Sequence, residues 1–271
     1  MTTETVAAPI GEVRAASTAG GGTALSGTAA RIVLPIGTRW VSLTPRNFST
    51  AVVAKFNLNP WLTVLKTTDA LASAANLTDY SNNAQDGSTS TDITLSSLGE
   101  LLAGDALYVG ASVPFGGAVA DVDAANATAS ALAVHYWDGS AWTSITPTDG
   151  TASGGAAFAQ DGSVTWTVPT DWVAGSLKDI TGSAINNNLL EQSFFWTRWS
   201  VSVALDSSTT LNSLIAINRD TTYGELVSGQ AFETACFVGT GGISSVTTLT
   251  DAGTANLIVN AATRGRGARF S

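Results

Sequence analysis

The sequence predicts an all-β protein: an antiparallel β-sandwich, jelly-roll-like, with an extended N-terminal arm and additional β segments at both ends. Three observations lead there. Fifteen Asp stand against six Glu, and there are 27 Gly, so the polar residues are turn formers more than helix formers. Short runs rich in Val, Thr, Ile and Trp recur between Gly, Asp, Asn and Pro clusters. The segment 194–205, FFWTRWSVSVAL, alternates with period two: Phe195, Trp199, Val201, Val203 and Leu205 on one face, Arg198, Ser200 and Ser202 on the other.

The elements follow in order. Residues 1–30 read as an arm, because 15–30 has no periodicity and only Leu25 as a bulky side chain; such a segment is ordered only by a partner or by the rest of the chain. Residues 31–95 form an N-terminal β region of assembly contacts. It opens with four strands, RIVLPI, RWVSL, TAVVAKF and WLTVLK, separated by turn chemistry, and ends in a polar, acidic loop around NNAQDGSTSTD. Residues 96–220 form the sandwich module, starting with one short helix at 96–105. Its strands are ALYVGAS, ALAVHYW, AWTSI, SVTWTVP, FFWTRWSVSVAL and TTLNSLIAI. Residues 221–271 supply three weaker β segments and an Arg-tipped tail, and pack with 31–95.

Charge is scarce and sorted. Only 12% of residues are charged, the formal net charge is −9 and the mean hydropathy is +0.21. Residues 1–66 carry +4, residues 67–197 carry −13 and residues 198–271 are neutral. With so little charge to cover a free surface, the ends read as assembly surface and the acidic sandwich as the part facing solvent. No apolar run reaches the roughly 18 residues of a membrane span, and the N-terminal stretch lacks the basic and apolar regions of a signal peptide. One cysteine, Cys236, excludes an intrachain disulfide framework and, among apolar neighbours, reads as a small core residue.

Catalysis is hard to build from these residues. The one histidine, His135, lies inside a strand with no nucleophile motif beside it. Zinc requires Cys/His clusters that one of each cannot make. Asp121, Asp123 and Asn126 offer three oxygens for a structural Ca²⁺, without the glycine and closing Glu of an EF-hand. No cofactor motif is present, and the acidic balance argues against nucleic acid. Four residues are candidate interface or ligand contacts. Trp196 falls on the polar face of its strand, and Arg264, Arg266 and Arg269 tip the tail.

Residues 106–217 carry a resemblance. The YWDGSAW hairpin, then G-x-x-x-W-x-x-P-x-D-W, then an aromatic FWxRxxVS strand resemble a β-sandwich module of tailed-bacteriophage virion proteins. The matching residues are Tyr136, Trp137, Gly139, Trp142, Gly162, Trp166, Pro169, Asp171, Trp172, Trp196 and Arg198. The match spans about 40% of the chain and transfers no catalytic or binding residue. It implies a non-enzymatic structural component of the virion, first of all a capsid decoration (cement) protein. Its partners would be the major capsid protein or other virion proteins and copies of itself, in a trimer by preference, with neither nucleic acid nor membrane. The alternative is a tail, neck or head-fibre component whose sandwich binds carbohydrate or a receptor.

Overall fold

The computed structural model describes residues 12–13, 22–36, 38–49, 53–96, 98–100, 104–219, 223–235 and 242–262. The chain is all-β, and it divides into two compact units. The outer unit comprises residues 1–58 and 221–271; residues 59–220 form the inserted unit. Residues 59–95, grouped by sequence with the N-terminal β region, thus pack inside the inserted unit.

The outer unit's strands are β1 (Glu12–Val13), β2 (Thr23–Leu25), β3 (Ala30–Val33), β4 (Trp40–Arg46) and β5 (Ala54–Pro60). After the insertion come β18 (Gly224–Leu226), β19 (Phe232–Ala235), β20 (Ile243–Thr250) and β21 (Ala255–Ala262). The inserted unit holds β6 (Thr63–Thr67), β7 (Leu77–Asp79), β8 (Ile93–Thr94), β9 (Ala106–Ala111), β10 (Phe115–Ala124) and β11 (Leu132–Trp137). It continues with β12 (Trp142–Ile145), β13 (Thr148–Asp149), β14 (Gly162–Thr165), β15 (Gly175–Ser176), helices α1 (Leu177–Thr181) and α2 (Asn188–Glu191), β16 (Ser193–Val201) and β17 (Thr210–Asn218).

Among the described residues, each unit is a jelly roll of two four-stranded sheets. In the inserted unit the sheets run β8-β17-β10-β14 and β9-β16-β11-β12. In the outer unit they run β2-β21-β4-β19 and β3-β20-β5-β18. The two lists are the same list. Numbering the eight strands of either roll in chain order, one sheet is 1-8-3-6 and the other 2-7-4-5. The chain crosses between sheets at every step but the fourth-to-fifth, which is a same-sheet connection; this is the jelly-roll connectivity. In the inserted unit that step is the tight turn from β11 to β12, where Gly139 takes φ +98° and Asp138 caps the turn. In the outer unit it is the step from β5 to β18, and the whole inserted unit occupies it. One jelly roll is nested in the equivalent hairpin of another.

Additional strands lengthen both rolls. β6 pairs with the outer side of β9 and β7 with β6. β13 pairs with β14, and β1 with β21. β10, the ten-residue strand that the Gly-rich run 115–124 hides from a propensity reading, is central, pairing with β14 and β17.

Period-two alternation builds the inserted unit's core. Leu107, Val109, Val134, Tyr136, Trp199 and Val201 from one sheet meet Phe115, Ala118, Val164, Trp166, Leu214 and Ala216 from the other in a single cluster. The expected helix at 96–105 is absent from the described part of that stretch. Leu95 and Leu98 are core residues, and Leu98 accepts a bond from Leu205 N, so the segment is tied down as an irregular connection. The polar, acidic loop around NNAQDGSTSTD is also partly interior. Gln85 is buried, its Oε1 accepting from Leu62 N at 2.7 Å and its Nε2 donating to Leu62 O at 2.7 Å.

Candidate interaction surfaces

Trp196 is not a surface residue. Its alternation places it opposite the sandwich core as expected, but that face of β16 is covered. Residues 175–191 fold back over it, so that Leu177, Ile185 and Leu190 close a second apolar cluster with Leu65, Tyr108, Phe194 and Trp196. The Trp196 indole is fully buried and donates from Nε1 to Gly175 O at 3.0 Å. Two short helices make this cover. Ser176 caps α1 by accepting from Asp179 N, and Gly182 ends it in the left-handed conformation; Asn187 caps α2 by accepting from Leu189 N. Arg264, Arg266, Arg269 and Cys236 lie outside the described residues.

Tyr136, Trp166, Asp171 and Trp172, among the residues that carry the resemblance, form a framework inside the inserted roll. Tyr136 donates its hydroxyl to Asp171 at 2.9 Å, and Trp172 donates to the carbonyl of Trp196 at 3.2 Å. Trp166 donates to Phe115 O at 3.1 Å and stands edge-on to Phe115 and Trp199. Asp138 accepts from the N–H groups of Ser140 and Ala141 and from the Thr143 hydroxyl.

Where the covering helices stop, the same face of the sheet presents a different group. Trp142 lies edge-on to Trp137, with ring centroids 5.8 Å apart, and 5.7 Å from Tyr108. The Arg198 guanidinium carbon sits 4.8 Å from the Trp142 ring centroid, a cation–π contact. His135 and Arg198 are directly opposed on β11 and β16, and Ser144 completes the row on β12. Burial first, then the Arg198 charge, push the His135 imidazole below its ordinary range, which keeps it neutral near pH 7. Burial holds the Tyr108 phenol above its ordinary range, while its hydrogen bond to Arg198 acts the other way. Trp137, Trp142, His135 and Arg198 are all half-buried. Sequence alternation contained parts of this strip, since His135 and Trp137 share one side of β11, Trp142 and Ser144 one side of β12, and Arg198 lies on the polar side of β16. Only the register puts them side by side.

A second group lies at the end of the inserted roll opposite its chain entry and exit. The loops 125–131, 146–161 and 202–209 meet there around Asn126, which is 2% exposed. Its Nδ2 donates to Thr128 O, Ser130 Oγ and Ala157 O, and its Oδ1 accepts from Thr128 N and Asp206 N. Asp206 accepts in turn from Ala127 N at 2.8 Å and from the Ser208 and Thr209 hydroxyls. Asn126 is therefore committed to the loops around it, and the three oxygens weighed for Ca²⁺ do not converge. Asp121 accepts from Asn212 and Asp123 from Thr210, both across to β17. Among the described residues no group of three or more His, Cys, Asp or Glu is placed to hold a metal ion. No described helix is long and apolar enough to cross a membrane.

Comparison of the chain with protein-family models, with curated proteins and with solved structures finds no match.

Proposed function

We propose that the chain is a non-enzymatic structural component of a tailed-phage particle, acting as a capsid decoration protein that stabilises the shell through contacts with the major capsid protein and with copies of itself. What carries this reading is the resemblance of residues 106–217 to a β-sandwich module of tailed-phage virion proteins. Its aromatic and glycine residues fall within one stretch, and in the inserted jelly roll three of them have framework roles: Tyr136 on Asp171, Trp172 on β16, Trp166 on β10. The fold supports it by analogy, since jelly rolls are frequent in viral shells, although they serve lectins too. The charge pattern supports it as well. The outer unit holds eight Lys/Arg against five Asp/Glu and the inserted unit four against sixteen, so +3 and −12. The test is co-sedimentation of the purified chain with shells that lack it. Binding that raises shell resistance to heat or chelation supports the reading; a chain left entirely in the supernatant overturns it.

A second reading, a head-fibre or tail component that binds host glycan, is favoured by one observation. The half-buried Trp142 and Trp137, flanked by His135 and Arg198, form an aromatic strip with polar neighbours, the composition that stacks on sugar rings. Binding to host envelope polysaccharide that Trp142→Ala abolishes would establish it, and equal binding by the variant would remove it.

A further inference from the structure

The edge of β21 carries two strands in line. β2 pairs with one stretch of it, Thr23 opposite Leu257 and Leu25 opposite Ala255. β1 pairs with the next stretch, Glu12 opposite Asn260 and Val13 opposite Val259. On its other side β21 is fully paired, from Asn256 to Ala262, with β4. The partners Val259 and Leu257 are two residues apart along β21, whereas Val13 and Thr23 are ten apart in the chain. β1 is thus supernumerary: the eight-stranded roll is complete with β2, and β1 occupies an otherwise open length of strand edge. An open edge of this kind binds any extended segment through main-chain hydrogen bonds.

We propose that this edge is an interface between copies of the chain, occupied in the assembly by the Glu12–Val13 segment of a second copy. The register permits it without new chemistry. An exchanged β1 makes the same pairs with Asn260 and Val259 as its own copy's β1, so exchange forfeits no contact. The link permits it too. The nine residues between Val13 and Thr23 are RAASTAGGG, small except for Arg14, and reach up to about 30 Å when extended. A link that short holds β1 at an effective concentration on the order of millimolar, so exchange competes with self-pairing as the concentration of the chain approaches that value. The inference concerns the purified chain alone and stands whether or not the virion reading does.

The test is a cysteine pair across the register. Glu12→Cys and Asn260→Cys are directly opposed, and the Cα spacing of such cross-strand pairs, about 4.5–5.5 Å, suits a disulfide. Cys236 is replaced by serine so that no other thiol competes. Oxidation across a concentration series should give covalent dimers and higher species whose share rises with concentration. Closure within one chain at every concentration, seen as a mobility shift without multimers, overturns the proposal. A chain lacking residues 1–13 should keep its circular dichroism and melting temperature and lose the concentration-dependent association. If it associates as the full chain does, the proposal is likewise overturned.

Discussion

Gly110 and Trp196 are directly opposed on β9 and β16, and a Cβ on Gly110 would lie 2.5 Å from the Trp196 indole. The indole lies flat over the glycine, roofed by Leu177, Ile185 and Leu190. Gly110→Ala therefore has to displace a fully buried tryptophan. It should cost about 1–3 kcal/mol, the usual range for overpacking a core, read from the urea midpoint of the unfolding curve. An unchanged midpoint would mean that the cover over Trp196 yields freely.

Asn126 joins three loops through five hydrogen bonds in a buried site. Asn126→Ala strands several buried partners at once. It should lower stability by about 3 kcal/mol, given about 1–3 kcal/mol for each buried group left unsatisfied and partial relaxation of the loops. Faster amide exchange confined to 125–131, 155–159 and 204–209 would accompany it. Global protection unchanged at all three loops would refute the claim that Asn126 ties them.

Acid should loosen both ends of the roll, through Asp206 beside Asn126 and through Asp138 in the β11–β12 turn at the other end. The Asp206 carboxyl is held down to about 2, chiefly by the Ala127 N–H and then by the Thr209 and Ser208 hydroxyls. Asp138 is held well below the carboxylate range by the Ala141 and Ser140 N–H groups and the Thr143 hydroxyl. Both folded values lie under the unfolded value of about 3.9, so the native state binds fewer protons. Their stabilisation is complete above about pH 4 and is lost as pH falls toward 2. A melting-temperature profile should drop over that window, and Asp206→Asn with Asp138→Asn should flatten the drop. Superimposable profiles for wild type and double variant would contradict this.

The inserted unit has its own core and its own complete pair of sheets, so residues 59–220 should fold alone. Expressed by itself, that fragment should unfold cooperatively and keep its tryptophan near-ultraviolet dichroism. The complement, with 58 joined to 221 through a two-residue Asn-Gly turn, should also fold, because the inserted roll itself makes the corresponding step with a tight turn. A fragment 59–220 with no cooperative transition would show that the two units depend on each other.

Much of the fold was legible in the residues, and the reasons differ by element. The strands around 131–137, 141–145 and 194–201 follow from alternation and from Asp138-Gly139. β10 does not, because Gly116, Gly117 and three alanines have low strand propensity and are held by pairing on both sides. Trp196 was misplaced because period two reports which side of a strand a residue takes, and says nothing of what covers that side. The cover is Leu177, Ile185 and Leu190, too short a helical stretch to show a helical period. The repetition of one strand order in both rolls escapes the sequence, because a discontinuous unit leaves no local trace of its order: Phe56 meets Gly224, and Trp40 meets Ala262.

Nesting also sets an order of events during synthesis. When β5 leaves the ribosome, its partners β18 and β20 do not yet exist, and the next 162 residues to emerge are the inserted roll. That roll starts and finishes at one end, with Thr63 opposite Gly110 and Asn218 opposite Phe115. Once folded, it keeps its first and last described strands, β6 and β17, fixed to that one end. Bringing the ends of an unfolded loop of that length together costs about 3 kcal/mol more than closing a four-residue turn. The folded insert removes that cost before β18 arrives, so the outer roll closes last and onto a chain already shortened for it.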